Sequence, residues 1–196
     1  MENKNRKSTR LEIFDYNSVG AYFITICTQN KEHLLSRIVT KETFVGTDVP
    51  DGPQESKEIF VELTEYGKIA DKYINQLNNF YENFSVDDYI IMPNHIHLLI
   101  NIHENGPSRT SVPTELVFVE NGEANKAKQH STISLFISTF KRFCNKEYGK
   151  NIWQMRSFDH IIRNNKDYEF HIKYIRENPL KWYFNSENHD DLMLYE

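Results

Sequence analysis

The stretch that decides the fold is Ile91-Met92-Pro93-Asn94-His95-Ile96-His97-Leu98-Leu99-Ile100. Pro93-Asn94 suits the centre of a type I or II turn, so residues 88–92 and 95–101 are predicted to form an antiparallel hairpin. Strand alternation places His95 and His97 on one face and the intervening isoleucine on the other. Two imidazoles one strand repeat apart can share a divalent cation. Alternatively, one histidine is a hydrogen-bonded core residue and the other lies at the edge of the strand. The pattern alone does not decide between a metal site and this structural role.

A second informative segment, residues 167–179, has the periodicity of an amphipathic helix. Tyr168, Ile172 and Ile175 form its apolar stripe. Asn164 or Asn165 can cap its beginning, and Pro179 predicts its end at Asn178.

His171, Tyr174 and Asn178 form a second stripe on this helix, beside the apolar one. Tyr174 and Asn178 are neighbours because they are four residues apart. Next to a two-histidine metal site, the Tyr174 hydroxyl would be a nucleophile beside its Lewis acid. A tyrosine at the margin of the core, with its hydroxyl in water, is the alternative interpretation.

Length and composition predict one compact domain over residues 1–196. Two polar segments, about 36–62 and 104–129, are expected to be insertions that form loops or small hairpins, and about 186–196 to be a flexible acidic tail. The chain has no apolar run near the length of a membrane span and no secretory signal, so we expect a cytoplasmic protein without membrane contact. Cys27 and Cys144 form no CxxC motif and are expected to be reduced.

The formal net charge of −5 argues against a non-specific DNA-binding protein. Between Ser131 and Trp182, however, the sequence has ten basic side chains and only five acidic ones. This asymmetry allows phosphate binding and does not demonstrate it. The candidate phosphate contacts are Lys141, Arg142, Lys173 and Arg176.

Helical and strand patterns alternate along the chain, which predicts an α+β fold with a mainly antiparallel sheet. Trp153 and Phe158 are favoured as core residues, with stacking on unpaired bases as the alternative. Asp159 and His160 either contact the residues of the site and orient them, or are structural polar residues at a strand edge.

Five blocks in this order resemble the REP-associated tyrosine transposases, a branch of the single-tyrosine HUH transposases of bacterial insertion sequences. The blocks are residues 20–29, 92–97, 153–154, 158–160 and 174–179. This resemblance implies a ferredoxin-like sandwich with helices on one face of the sheet. It also implies a single HUH transposase/endonuclease domain that associates with the nucleoid when bound to DNA.

The resemblance implies a role for each matching residue. His95 and His97 correspond to the metal-binding histidines, Tyr174 to the nucleophile, and Asn178 to the third metal ligand, directly or through water. The implied cofactor is Mg²⁺ or Mn²⁺, and the implied substrate is single-stranded or hairpin DNA. Tyr174 would attack the scissile phosphate and leave a 5'-phosphotyrosine and a free 3'-hydroxyl. A role of His171 in proton transfer is left open.

Two other functions remain compatible with the sequence. One is a non-catalytic module that binds single-stranded nucleic acid, and the other is a metal-dependent phosphodiesterase that uses water. The sequence decides neither the target hairpin nor whether the protein is mobile or domesticated, and it leaves both a monomer and a homodimer open.

Overall fold

The structure, a computed structural model, describes residues 19–45, 54–80, 83–103 and 131–185. Its elements are β1 (Gly20–Cys27), β2 (Ser36–Val45), β3 (Gln54–Leu63), α1 (Glu65–Phe80), β4 (Phe84–Ile91), β5 (His95–Ile102), α2 (Thr132–Tyr148), β6 (Phe158–Ile161) and α3 (Asn165–Phe184). The main sheet is antiparallel with strand order β4-β5-β1-β6, and β2 pairs with β3 separately. Without the β2–β3 hairpin, the element order is β-α-β-β-α-β, the ferredoxin-like arrangement, followed by α3. The predicted α+β fold is therefore confirmed.

The predicted turn at Pro93-Asn94 joins β4 to β5. The Met92 N–H donates to the His95 carbonyl oxygen at 2.9 Å, which closes the turn. The backbone N–H and the hydroxyl of Thr28 both donate to the Asn94 carbonyl oxygen, at 2.9 and 3.0 Å. His95 is thus the first residue of a strand whose beginning is held by the end of β1.

Helices cover both faces of the main sheet. Ile96, Leu98 and Ile100 of β5 are buried in a core cluster with residues of α1 and α2. Leu99 lies in a second cluster with residues of α3. Because successive strand residues point to opposite faces, α3 packs opposite to α1 and α2. The prediction of helices on one face holds for α1 and α2, whereas α3 covers the other face because that face is apolar as well.

The predicted end of α3 at Asn178 is wrong, because the helix continues to Phe184 with Pro179 inside it. A proline in a helix interior costs about 3 kcal/mol, since it removes one backbone hydrogen bond and crowds the preceding turn. Here Pro179 is buried, and Trp182 beyond it packs its ring 5.8 Å from the ring of His95. Tertiary packing of the last turns therefore outweighs the local preference of proline.

The first polar insertion forms the β2–β3 hairpin, in agreement with the hairpin alternative of the prediction. The second insertion, residues 104–129, and the acidic tail, residues 186–196, lie outside the described residues. Within the described ranges, none of the helices has both the length and the apolar character needed to cross a lipid bilayer.

Gly67, in the first turn of α1, lies directly against the backbone of Leu35. A Cβ atom at position 67 would come within 2.0 Å of the Leu35 carbonyl oxygen. The N–H of Thr64 donates to the same carbonyl at 3.0 Å, which keeps the two segments together. We expect Gly67→Ala to lower the free energy of unfolding by roughly 1–3 kcal/mol, despite the better helix propensity of alanine. Urea denaturation measures the shift against Gln76→Ala, a change at an exposed position of the same helix; equal midpoints would contradict the expectation.

Candidate functional site

The two histidines of β5 lie side by side, with ring centroids 4.5 Å apart. The Nδ1 atom of His95 is 2.6 Å from Oδ1 of Asn94, and Nδ1 of His97 is 2.9 Å from the hydroxyl of Thr25. Hydrogen bonds of this kind orient a metal-binding histidine through one ring nitrogen and leave the other for the metal. In both rings the nitrogen that remains is Nε2.

Burial keeps both rings uncharged at neutral pH. Burial, with Lys31 and His33 as further causes, lowers the pKa of His95 to about 4. Burial also lowers the pKa of His97, to which the nearby rings of His95 and His171 contribute. A histidine ligates a metal in its neutral form, so protons do not compete for these rings near pH 7.

Tyr174 lies on α3 and packs against this histidine pair of β5. Its side chain is 7% exposed, and its ring centroid lies 5.2 Å from that of His97. Asn178, one helical turn later, is also buried. The structure therefore brings together His95, His97 and Tyr174, with Asn178 on the same side of α3 as Tyr174.

Phe23 of β1 fills the space among the rings of this site. Its ring is stacked on His97 at 5.0 Å, lies 4.5 Å from His171 and meets Tyr174 edge-on at 5.9 Å. We did not predict this role, although strand alternation places Phe23 and Thr25 on the same face of β1. The missing information is the strand pairing, which sets Thr25 opposite His97.

The four predicted phosphate contacts lie on two helices that cover opposite faces of the sheet. Lys173 and Arg176 are exposed on α3. Lys173 lies 3.6 Å from Glu177, and Arg176 lies 3.5 Å from Asp88. On α2, Lys141 donates to the carbonyl oxygen of Gln154 at 2.8 Å, and Arg142 is exposed. One cation beside Tyr174 was not predicted. It is Lys181, whose Nζ lies 5.1 Å from the centroid of the Tyr174 ring, and it follows Pro179, where we expected no helix.

A second group of ligand-type side chains lies at the beginning of α3. His160, Asp167 and His171 each offer a donor atom, and these atoms lie within 4.8 Å of one another. Nε2 of His160 is 3.0 Å from Asp167 Oδ2, and Nδ1 of His171 is 3.2 Å from Asp167 Oδ1. The Nδ1 of His171 also lies 2.8 Å from the Asp167 carbonyl oxygen. The group thus links β6 to α3, and its residue types also suit a metal ion.

The histidine pair passes one structural test for a metal site. Nε2 of His97 is buried and has no hydrogen-bond partner in the described part of the chain. A buried polar atom without a partner costs about 1–3 kcal/mol, so such atoms call for an explanation such as an ion. Imidazole nitrogens and an amide oxygen are suitable donors for a divalent metal such as Mn²⁺.

The fold and site together define a ferredoxin-like α+β protein in which a histidine pair, with His97 buried and His95 partly buried, faces a helical tyrosine. No protein-family model matches the chain. The chain is 28% identical over 183 residues to an uncharacterized protein of Haemophilus influenzae. This alignment covers 91% of this chain and 90% of that protein.

Two relatives have a descriptive name. The REP-associated tyrosine transposase of Escherichia coli is 29% identical over 98 residues, 50% of this chain and 46% of that protein. A putative REP-associated tyrosine transposase of Haemophilus influenzae is 27% identical over 115 residues, 56% of this chain and 60% of that protein. The chain thus matches less than two thirds of each named relative. These homologues confirm the resemblance to the REP-associated tyrosine transposases.

The fold is also similar to that of a solved REP-associated tyrosine transposase bound to a REP hairpin. The TM-score is 0.54 at 21% sequence identity, and the match covers 88% of this chain and 74% of that one. This likeness supports the α+β architecture described above.

Proposed function

We propose that this protein is a transposase that cleaves and rejoins single-stranded DNA at hairpin-associated sites through a 5'-phosphotyrosine intermediate. The observation that carries the proposal is the contact between Tyr174 and His97, whose ring centroids are 5.2 Å apart. The names of the homologues point to the same chemistry. We further propose that residues 1–196 act as one catalytic domain of the HUH type.

In the proposed reaction, the Tyr174 oxygen attacks the phosphorus of the scissile phosphate. The new bond joins this oxygen to phosphorus, and the bond between phosphorus and the 3'-oxygen of the preceding nucleotide breaks. The Tyr174 hydroxyl gives its proton to solvent, and the 3'-oxygen takes up a proton from solvent and leaves as a free 3'-hydroxyl. The 5'-phosphate of the following nucleotide stays bonded to Tyr174. Because the phosphotyrosine conserves the energy of the phosphodiester, a 3'-hydroxyl can reseal the strand without ATP.

The chain's own residues support this step in two ways. Phe23 and His97 hold the tyrosine ring by contact, so the nucleophile is oriented before DNA binds. A free tyrosine has a pKa of about 10, and a cation nearby favours the phenolate. We assign this role to Lys181, whose Nζ lies 5.1 Å from the centroid of the Tyr174 ring and 3.5 Å from Glu177 Oε2.

His95 and His97, with Asn178, are the residues that would hold Mg²⁺ or Mn²⁺. When bound, the cation supplies positive charge that polarises the scissile phosphate. The predicted contacts to DNA phosphates remain Lys141, Arg142, Lys173 and Arg176. The scissile phosphate would bind beside Tyr174, between α3 and β5.

Removing Lys181 tests the proposed activation of the tyrosine. We expect Lys181→Ala to slow cleavage by roughly 10-fold, which corresponds to about one pKa unit of lost phenolate stabilisation. Lys166→Ala is the matched control, because Lys166 is exposed on the same helix, in its first turn. Single-turnover cleavage of a labelled oligonucleotide measures both rates. Equal rates for the two variants would exclude a role of Lys181 in this step.

Covalent trapping tests the function itself. Single-stranded DNA from the flanks of the protein's own gene is incubated with the protein and Mn²⁺, and the mixture is separated under denaturing conditions. We expect a protein–DNA adduct, which mass spectrometry maps to Tyr174 with a 5'-linked nucleotide. Cleavage without an adduct would instead support a phosphodiesterase that uses water, and binding without cleavage would support a non-catalytic module.

A further inference from the structure

A cavity of about 440 Å³ opens between the end of α3 and the beginning of β2. It is lined by His33, Ser36, Arg37, Pro93, Trp182 and Tyr183. Ligand sites in proteins have volumes of about 300–1,000 Å³, so the cavity is large enough for a small planar molecule. Neither the cleavage step nor the metal site described above uses these residues.

The cavity shares a wall with the proposed active site. Trp182 lines the cavity, and its ring centroid is 5.8 Å from that of His95 and 5.3 Å from that of His33. Pro93, another lining residue, belongs to the turn that carries His95 into β5. A nucleotide with its phosphate at the histidine pair therefore has this cavity beside it.

The lining combines aromatic surface with polar groups. Trp182, Tyr183 and His33 offer rings, and Tyr183 is 36% exposed. Unpaired bases stack on such side chains regardless of their sequence, because every base has a π-face. Arg37 is exposed at the cavity and provides a guanidinium with several N–H donors.

A buried hydroxyl in the lining also points to a ligand. Ser36 is 2% exposed, and its Oγ has no hydrogen-bond partner in the described part of the chain. Buried hydroxyl groups are normally paired, and rotation about the Ser36 side chain would bring this one to the polar edge of a molecule in the cavity. Stacking rings, a cation and a nearby hydroxyl without a partner together fit a flat heteroaromatic ring with hydrogen-bonding atoms at its edge.

We propose that this cavity binds one unpaired nucleobase of the DNA strand that is cut at Tyr174. The proposal rests on the proposed function, because it takes the bound strand to be the transposase substrate. Trp182 stacks on the base, and Arg37 and Ser36 bind its polar edge. The cavity thus determines which nucleotide of the strand lies beside the scissile phosphate.

The test replaces one nucleotide at a time by an abasic nucleotide in single-stranded DNA from the gene's own flanks. Binding is measured in the Tyr174→Phe background, so that the strand stays intact. We expect the abasic nucleotide at one position to weaken binding by roughly 5- to 100-fold, the range for loss of one base–aromatic stack. Trp182→Ala should weaken binding of intact DNA to a similar extent and should no longer respond to the abasic nucleotide at that position.

Phe80→Ala is the control variant, because Phe80 is 63% exposed and lies at the end of α1, outside the cavity lining. It should keep the response of the parent protein at every position. Trp182→Ala binding like its parent, or retaining the response at that position, would overturn the proposal. So would an equal response to abasic nucleotides along the whole strand.

Tryptophan fluorescence gives a second readout that does not depend on the folding of Trp182→Ala. The chain has two tryptophans, and Trp153 is 1% exposed in the core. Adding the same DNA should therefore quench the emission of Trp182, and Trp182→Phe should remove this quenching. An unchanged emission on DNA binding would overturn the cavity proposal. An adduct on Tyr174 without this quenching rejects the cavity alone, whereas quenching without any adduct rejects the cleavage chemistry alone.

Discussion

Replacing Tyr174 by phenylalanine is expected to abolish DNA cleavage while the protein stays folded. The substitution removes a single oxygen atom and keeps the ring that packs against Phe23 and His97. Stability should change by far less than the roughly 3–5 kcal/mol lost when a buried aromatic side chain is truncated to alanine. The rate should fall by about 10⁴-fold or more, because deletion of a covalent nucleophile has effects of this size.

Tyr168→Phe is the matched control for this experiment. Tyr168 lies on the same helix, and its hydroxyl donates to Asp87 Oδ2 at 2.9 Å, away from the histidine pair. This variant should cleave and form the adduct like the wild-type protein. An adduct on Tyr168 would show that Tyr168, and not Tyr174, is the nucleophile, and the phosphotyrosine chemistry would still hold. Full activity of Tyr174→Phe would refute the phosphotyrosine mechanism.

The second large effect is expected from His97→Ala, which removes one of the two proposed metal ligands. Cleavage that depends on Mn²⁺ should be lost, and Mn²⁺ affinity should fall. Binding of hairpin DNA should stay within a few-fold of wild type, because most phosphate contacts come from lysine, arginine and backbone groups. Titration calorimetry with Mn²⁺ and a binding assay with the same DNA measure the two effects separately.

Two further variants show whether the effect is specific. Thr25→Val removes the hydroxyl that is 2.9 Å from Nδ1 of His97 and should weaken metal binding by about 10- to 100-fold, as loss of such supporting groups does. His103→Ala, at an exposed position just after β5, should bind Mn²⁺ like the wild-type protein. If His97→Ala binds Mn²⁺ with unchanged affinity, the metal does not occupy the histidine pair. The group of His160, Asp167 and His171 would then be the next place to test.

Several features follow from the sequence alone because they depend on neighbours in the chain. The turn at Pro93-Asn94 and the two-residue repeat of β5 place His95 and His97 on one face. The first turn of α3 is also local, since the Asn164 side chain accepts from the Asp167 N–H at 3.0 Å. Turn chemistry, strand alternation and helix capping act over two to four residues, so a sequence states them directly.

The composition of the site depends on contacts between distant segments, and only the tertiary structure decides these. Thr25 and His97 are 72 positions apart in the chain, yet strand pairing sets them opposite each other. Lys181 reaches Tyr174 because α3 continues through Pro179, against the local preference of proline. Burial of Pro179 and the contact of the partly buried Trp182 with His95 outweighed that preference. The energy of such contacts depends on partners that no local pattern identifies.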